Sequence, residues 1–285
     1  MTKHLNAAQK QHRGRRGMLR VALAGTAITL ILLTMSPTQG ASAPQFASDA
    51  PAFETVTIKS SNRPVGRRFG MQGRQFYIYN ATLDAIIAHG YGVHVRQIVG
   101  GPDWMDKVKF DIRGTVDAQG QLSEEQWNMV LQNLAAERFK FSFHHETKEL
   151  PVYLLSVLES GAKLTRNDSG QPLPKLLYRT VPGGVSLPGV NATTTDLANS
   201  LQRAVLDRPV VDKAGLDGRY NFLLTWTPDP SQFAGSFRRA PSPKNNFPPP
   251  DLFTALQEQL GLKLEPADTD LDVLVVEHVE RPVEN

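Results

Sequence analysis

The chain of 285 residues contains no cysteine. That absence excludes disulfides, lipoprotein anchoring, thiol catalysis and thiolate metal sites together, so an ordinary core must hold the fold. Nucleophile and phosphate-binding signatures are missing too. No serine sits in a G-x-S-x-G elbow, and neither a P-loop nor G-x-G-x-x-G occurs. Surplus charge is also lacking once the N-terminus is set aside. Of 31 basic residues, six (Lys3, Lys10, Arg13, Arg15, Arg16, Arg20) lie in residues 1–43, which hold no acid. The remainder carries 25 basic residues against 28 acidic ones. The basicity belongs to the leader, and no nucleic-acid partner is expected. Nor is the apolar run 21-VALAGTAITLILLTM-35 of spanning length, since about 20 residues are needed to cross a membrane.

What the N-terminus does have is the plan of an export signal: a basic region, that apolar run, then 36-SPTQGASA-43. The segment 15-RRGMLR-20 resembles a twin-arginine export motif, with Met18 and Arg20 where Phe and Lys are usual. Residues 1–43 are therefore expected to direct export, to the periplasm or beyond the cell. If uncleaved, they would anchor the chain in the inner membrane, its only membrane contact. Residues 44–51 read as a flexible segment.

The rest reads as α+β, with two related small modules at 52–164 and 191–285 joined by a Gly/Pro-rich linker at 165–190. In the first, 53-FETVTIKS-60 and 75-QFYIYNAT-82 alternate as strands, and Thr82 can cap a helix with Leu83, Ile86 and Ile87 inward. A strand 108-VKFDIRG-114 follows. Ser123 and Gln126 form a capping box for a helix carrying Trp127, Val130, Leu131 and Leu134. Then 139-FKFSF-143, the polar stretch 144-HHETKEL-150 and 151-PVYLLSVLE-159 read as a β-hairpin. The second half repeats the order helix, strand, helix, hairpin. Thr194 or Thr195 caps a helix with Leu197, Leu201, Ala204 and Val205 on one side. The strand 220-YNFLLTW-226 follows, then a helix capped by Asp251 and ended by Gly261, and a hairpin over 262–280 with its turn at 266-PADTD-270. Phe110 falls opposite Tyr220, and 139-FKF-141 matches 262-LKL-264, which suggests an internal duplication. The stretch 228–250 holds seven prolines and reads as a long exposed loop, basic at Arg238, Arg239 and Lys244.

Chemistry-bearing groups are few. At 144-HHE-146 successive strand side chains point to opposite faces, so a metal site is not expected. Glu124 and Glu125 suit a helix's first turn, where the macrodipole favours negative charge. The densest cluster is in 209-PVVDKAGLDGRYNFLLTW-226, where Asp212, Lys213, Asp217, Arg219 and Tyr220 crowd between two apolar runs. Asp beside Gly is first of all turn chemistry, and Lys213 and Ala214 break the spacing of a calcium loop. The five residues are read as a recognition surface. A rival reading makes Asp212 and Asp217 the carboxyl pair of an envelope hydrolase.

The ordered set 53-FETVTIKS-60, 82-TLDAIIAHGYGV-93, 97-QIVGGPDW-104, 110-FDIRG-114, 138-RFKFSFHHETKELPVYLL-155, 208-RPVVDKAGLDGRYNFLLTWTPD-229, 254-TALQEQLGLKLE-265 and 275-VVEHVERPVEN-285 resembles the "soil-associated" exported bacterial family, defined by a domain of unknown function. His145 stands where that family is expected to carry Arg. The resemblance implies an exported protein, or a domain attached to membrane metallopeptidases of the BlaR type, and it supplies no catalytic residue. The ending 254-TALQEQLGLKLEPADTDLDVLVVE-277 is also similar to the short N-terminal domains of secretins and TonB-dependent receptors, which implies periplasmic docking. Together these readings give a non-enzymatic interaction or sensing module with an envelope protein partner and no cofactor. Further alternatives are the hydrolase and a membrane-anchored structural protein. Strand addition would use the sheet edges near 108–114 and 220–226, or the proline-rich loop.

Overall fold

Alternation of Phe53, Val56 and Ile58, and of Phe76 and Ile78, gives strands with one apolar face, and the chain uses both in one sheet. The computed structural model describes residues 51–63, 66–118, 120, 122–168, 174–235 and 248–285, all within one unit, Ala41–Asn285. The expected export signal, nearly all of the 44–51 segment and the centre of the proline-rich loop lie outside the described residues.

The elements run β1 (Phe53–Ser60), β2 (Arg68–Gln72), β3 (Gln75–Thr82), α1 (Leu83–Tyr91), a 3-10 turn (Val95–Gln97), β4 (Ile98–Val99), α2 (Trp104–Lys107), β5 (Lys109–Val116), α3 (Glu124–Phe139) and β6 (Ser142–Val157). There follow β7 (Thr165–Arg166), β8 (Lys175–Leu176), β9 (Arg179–Val181), β10 (Gly184–Ala192), α4 (Thr194–Ala204), β11 (Val210–Asp212), β12 (Tyr220–Trp226), α5 (Leu252–Ala255) with a π-helical turn (Leu256–Leu260), and β13 (Leu262–His278). The class is α+β. The first sheet has order β1-β5-β3-β2, the second β7-β12-β10 with β9 and β8 along the far side of β10. Both are antiparallel throughout. A third sheet, β11-β6-β13-β4, lies between the two cores.

One local device occurs in both antiparallel sheets. The tripeptide Asn-Ala-Thr ends β3 (80–82) and lies at the end of β10 (191–193). Asn80 and Asn191 take left-handed φ angles of 53° and 56°, and the strand register shifts there. Asparagine tolerates that conformation better than most residues. Each bulge is held from the neighbouring strand: Asn80 N–H donates to Asp111 Oδ1 (2.9 Å), and Asn191 N–H donates to Asn221 Oδ1 (3.0 Å). Phe110 lies opposite Ala81, as Tyr220 lies opposite Ala192.

The helix caps follow the sequence with two departures, the first being that Thr82 stands at the N-cap of α1 but its side chain makes no capping bond. Ser123 and Gln126 exchange both capping bonds, and Asp251 accepts from Phe253 and Thr254. In α4, however, the cap is Thr193, boxed with Asp196, rather than Thr194 or Thr195. Those two hydroxyls go instead to Asp212.

The two expected hairpins are absent. Phe139 is the last residue of α3, Lys140 takes a left-handed cap (φ 52°), and one strand continues from Ser142 to Val157. Gly261 (φ 65°) plays the same part before β13. Lys140 therefore matches Gly261, and Phe141 matches Leu262, two residues away from the alignment of 139-FKF-141 with 262-LKL-264. The long strands pair with each other, from Leu262↔Val157 to His278↔Ser142. Their middles, 144–149 and 265–272, are largely exposed and polar, so they lack the apolar alternation that marks a half-buried strand. Each strand then enters the other half's core: Leu155 packs with α4 and α5 residues, and Leu274 packs with α1 and α3 residues.

The segment 165–190 is no free linker, since it carries β7, β8, β9 and most of β10. Pro188 is tolerated because it falls between the stretches of β10 that pair with β9 and with β8. The expected docking edges are also changed. β5 is interior, flanked by β1 and β3. Beyond β7, the outer edge of β12 is plugged by the Gln259 amide, which accepts from Thr225 N–H (2.8 Å) and donates to Thr225 O (2.7 Å). Asn285 plugs β1 in the same way at Ile58, through its own N–H (3.1 Å) and Oδ1 (3.0 Å). Covering unpaired backbone in this manner prevents edge-to-edge association.

Candidate functional site

The 212–220 cluster is disassembled by the fold. Asp212, at the end of β11, accepts from Thr194 Oγ1 (2.7 Å), Thr195 Oγ1 (2.8 Å) and Ala214 N–H (3.0 Å), which ties it to the N-terminus of α4. Arg219 donates to Asn191 O (2.9 Å) and lies 3.7 Å from Asp196, bracing the second bulge. The Tyr220 hydroxyl donates to the backbone oxygen of Asp217 (2.9 Å) and closes the turn. Lys213 bonds through its backbone to Leu155 O, and its side chain is exposed. The five residues serve a turn, a helix end and a bulge, Lys213 and Asp217 through their backbones; the two carboxylates share no partner among the described residues.

A different constellation forms on the outward face of the first sheet. Phe76 and Ile78 of β3 face the core, so Tyr77 and Tyr79 must face out. Register places Arg113 of β5 and Gly70 of β2 on either side of Tyr77, and Arg68 beside Tyr79. The two rings stack at 5.0 Å with 21° between their planes. Arg63 lies 4.6 Å from the Tyr79 centroid and Arg113 lies 5.3 Å from it. Tyr77 leans across Gly70, where an added Cβ would meet the ring at 2.3 Å. Glycine is required there by the ring rather than by its backbone.

The electrostatics of this face are anchored by Asp111. Burial alone would raise its carboxyl, but Arg63, the Asn80 N–H and the Ser61 hydroxyl outweigh that and hold it below the usual carboxylate range. Arg74 pairs with Glu54 at 2.5 Å. Lys59, Arg68, Lys109 and Arg113 are exposed and carry no ion pair among the described residues. Neither tyrosine hydroxyl has a hydrogen-bond partner among those residues. The outward positions of the four strands bear no aliphatic side chain. The alternation of 75-QFYIYNAT-82 could have exposed the two tyrosines. The arginines arrive from other strands, and only the pairing assembles them.

Elsewhere the surface offers shallow grooves. One of about 190 Å³ is lined by Tyr153, Leu206, Asp207, Asp229, Asp251 and Phe253 among others, with Asp251 occupied as a helix cap and Asp229 holding Ser231. Another of about 280 Å³ lies between β1, the end of α3 and the C-terminal residues. At 144–146, His144 sits between Glu146 (3.1 Å) and Glu277 (3.0 Å), which raise its pKa, and His145 meets Asp272 at 2.7 Å. Among the described residues no group of three or more His, Asp or Glu side chains is placed to hold a metal ion. No helix among them is long and apolar enough to cross a membrane.

Comparison with curated proteins and with solved structures gives no match. A family profile does match, over residues 84–279. It begins at the second residue of α1 and ends just beyond β13, so it takes in α1, α3, α4, α5 and the whole β6–β13 ladder that joins the two cores. With more than half of its length matched, the chain belongs to the family described as "Protein of unknown function (DUF3738)".

Proposed function

We propose that the chain is an exported, non-enzymatic binding module of the cell envelope. The observation that carries this reading is the division of labour among its polar groups. Of the two acids that sequence spacing offers to catalysis, Asp212 is held by three donors at once, and Asp217 gives a turn its backbone oxygen. The exposed cations of the first sheet's outer face surround a stack of two half-buried phenols. Catalysis needs reactive groups converging in a site that excludes water, whereas recognition of an extended partner needs an open, ordered surface. The leader at 1–43 supports export, and its apolar run supports secretion more than a span. The shared strand order of the two antiparallel sheets and the repeated Asn-Ala-Thr bulge support descent of the two halves from one duplicated module.

The test is crosslinking in intact cells followed by mass spectrometry, alongside incubation of the purified chain with isolated envelope polymers. A partner recovered reproducibly with no soluble product released is the expected result. Product release that disappears in Asp212→Asn or Asp217→Asn would overturn the reading and establish a hydrolase. Recovery of no reproducible protein partner, together with no retention of the chain on any envelope polymer, would also overturn it.

A further inference from the structure

We propose that the outward face of β1, β5, β3 and β2 binds an anionic polysaccharide, a sugar chain bearing carboxylate groups. This deepens the binding-module reading and rests on it. Three observations select the ligand's chemistry.

The charge comes first. Lys59, Arg68, Lys109 and Arg113 are spread over β1, β2 and β5, exposed and without carboxylate partners among the described residues. The acids within the same face are already engaged: Asp111 by Arg63, and Glu54 by Arg74. Neighbouring strands lie about 4.8 Å apart, so the free cations form a field wider than any single small anion. An extended polyanion can meet several of them at once, and guanidinium groups accept carboxylates in a paired, planar geometry.

The second observation is what the tyrosines leave free. Single-stranded nucleic acid is held by bases stacking on exposed aromatic faces. Here those faces are taken: Tyr79 lies against Tyr77 on one side, with the Arg63 and Arg113 guanidinium groups over it, and Tyr77 leans on Gly70. The hydroxyls remain, ready to exchange hydrogen bonds with a polymer rich in hydroxyl and carboxylate groups. The third is the lack of outward aliphatic side chains on these strands, since the core of a protein interface is more apolar and more depleted of charge than this face. The equivalent face of the second sheet, with Val190 40% and Leu223 58% exposed, has that character instead.

The test titrates the full chain with polygalacturonate, a neutral glucan and single-stranded oligothymidylate. Polygalacturonate should bind, with affinity that falls as salt rises, and the glucan should not. The double variant Arg68→Gln with Arg113→Gln should lose at least about tenfold in affinity with its unfolding temperature unchanged, as expected for losing charge-assisted contacts. Leu223→Gln, on the other sheet, should bind as the parent does. No binding of polygalacturonate, unchanged affinity in the double variant, or tighter binding of the oligonucleotide would each overturn the proposal. Failure of all three polymers while crosslinking still recovers a protein partner would sink this ligand and leave the binding-module reading standing. Shortening of the polygalacturonate would instead sink the binding-module reading.

Discussion

The first and second antiparallel sheets share strand order and the asparagine bulge with its clamp, yet face solvent differently. Where the first presents Tyr77, Tyr79 and Arg113, the positions at the same place in the second hold Pro188, Val190 and Leu223. Inward positions stay apolar in both, with Ile78, Ile112, Leu187 and Leu224 fully buried. The frame is therefore set by the inward rows and by the Asn-Ala-Thr bulge, whose backbone bonds would be left unsatisfied by most changes. The outward rows carry no such obligation. They are where two similar frames can carry different work.

The largest test of the comparison strikes the cores. Trp226, fully buried, donates to Gln232 (2.9 Å) and stacks on Phe233; Val116 holds the matching place in the first sheet. Trp226→Ala should cost about 3–5 kcal/mol in denaturant unfolding, and Val116→Ala about 2 kcal/mol, because less volume is removed. Equal losses would show that the matched positions do not bear comparable roles in packing.

The clamps come next. Asp111→Ala strips a partner from the Asn80 N–H, Arg63 and Ser61, and should destabilise by about 2 kcal/mol. Asn221→Ala, which releases Asn191 and Asn167, should cost about 1 kcal/mol because no full charge is lost. A reversed order would show that the acid adds nothing to the first bulge.

A smaller and opposite-signed pair concerns pH. Burial pushes His94 down to about 4, the Leu206 carbonyl opposing this in part, and pushes His89, packed against Phe69 and Trp127, down to about 3. In the unfolded chain both would titrate near 6.5. The unfolded state then binds more protons below that value, so stability falls as pH drops from about 6.5 toward 4. Residues 146–277 contain no histidine. Hydrogen exchange at pH 5 should therefore quicken in α1 and the turn after it before α4. His144, raised by Glu146 and Glu277, contributes stability below about 6.5 that is lost as pH rises, but it is exposed and its effect should be slight. His94→Gln should flatten the acid limb. The least change is expected at Leu223→Gln, within about 0.5 kcal/mol of the parent.

Much of the frame was legible. Strands at 53–60 and 75–82, the Ser123–Gln126 box and the Asp251 cap follow from period and capping chemistry. The long β6 and β13 strands were not. A ribbon exposed on both faces needs no apolar alternation, so 144-HHETKEL-150 and 266-PADTD-270 resemble turns. The Asn-Ala-Thr repeat was visible as three letters, but its meaning lies in positive φ angles, which spacing does not report. Likewise Asp212 and Asp217 looked like a pair because they are near in sequence. The arginine–tyrosine face was not legible because Tyr79 lies 16 residues after Arg63 and 34 before Arg113, and only strand pairing collects them.

The exchange of β6 and β13 between the cores has a consequence for dissection. A cut anywhere in 165–190 would leave each fragment with a strand that finishes the other's interior, Leu274 in one direction and Leu155 in the other. Neither fragment should be soluble and folded by itself, yet co-expressed they should reassemble through the ladder, so the chain is built as a ready-made split protein.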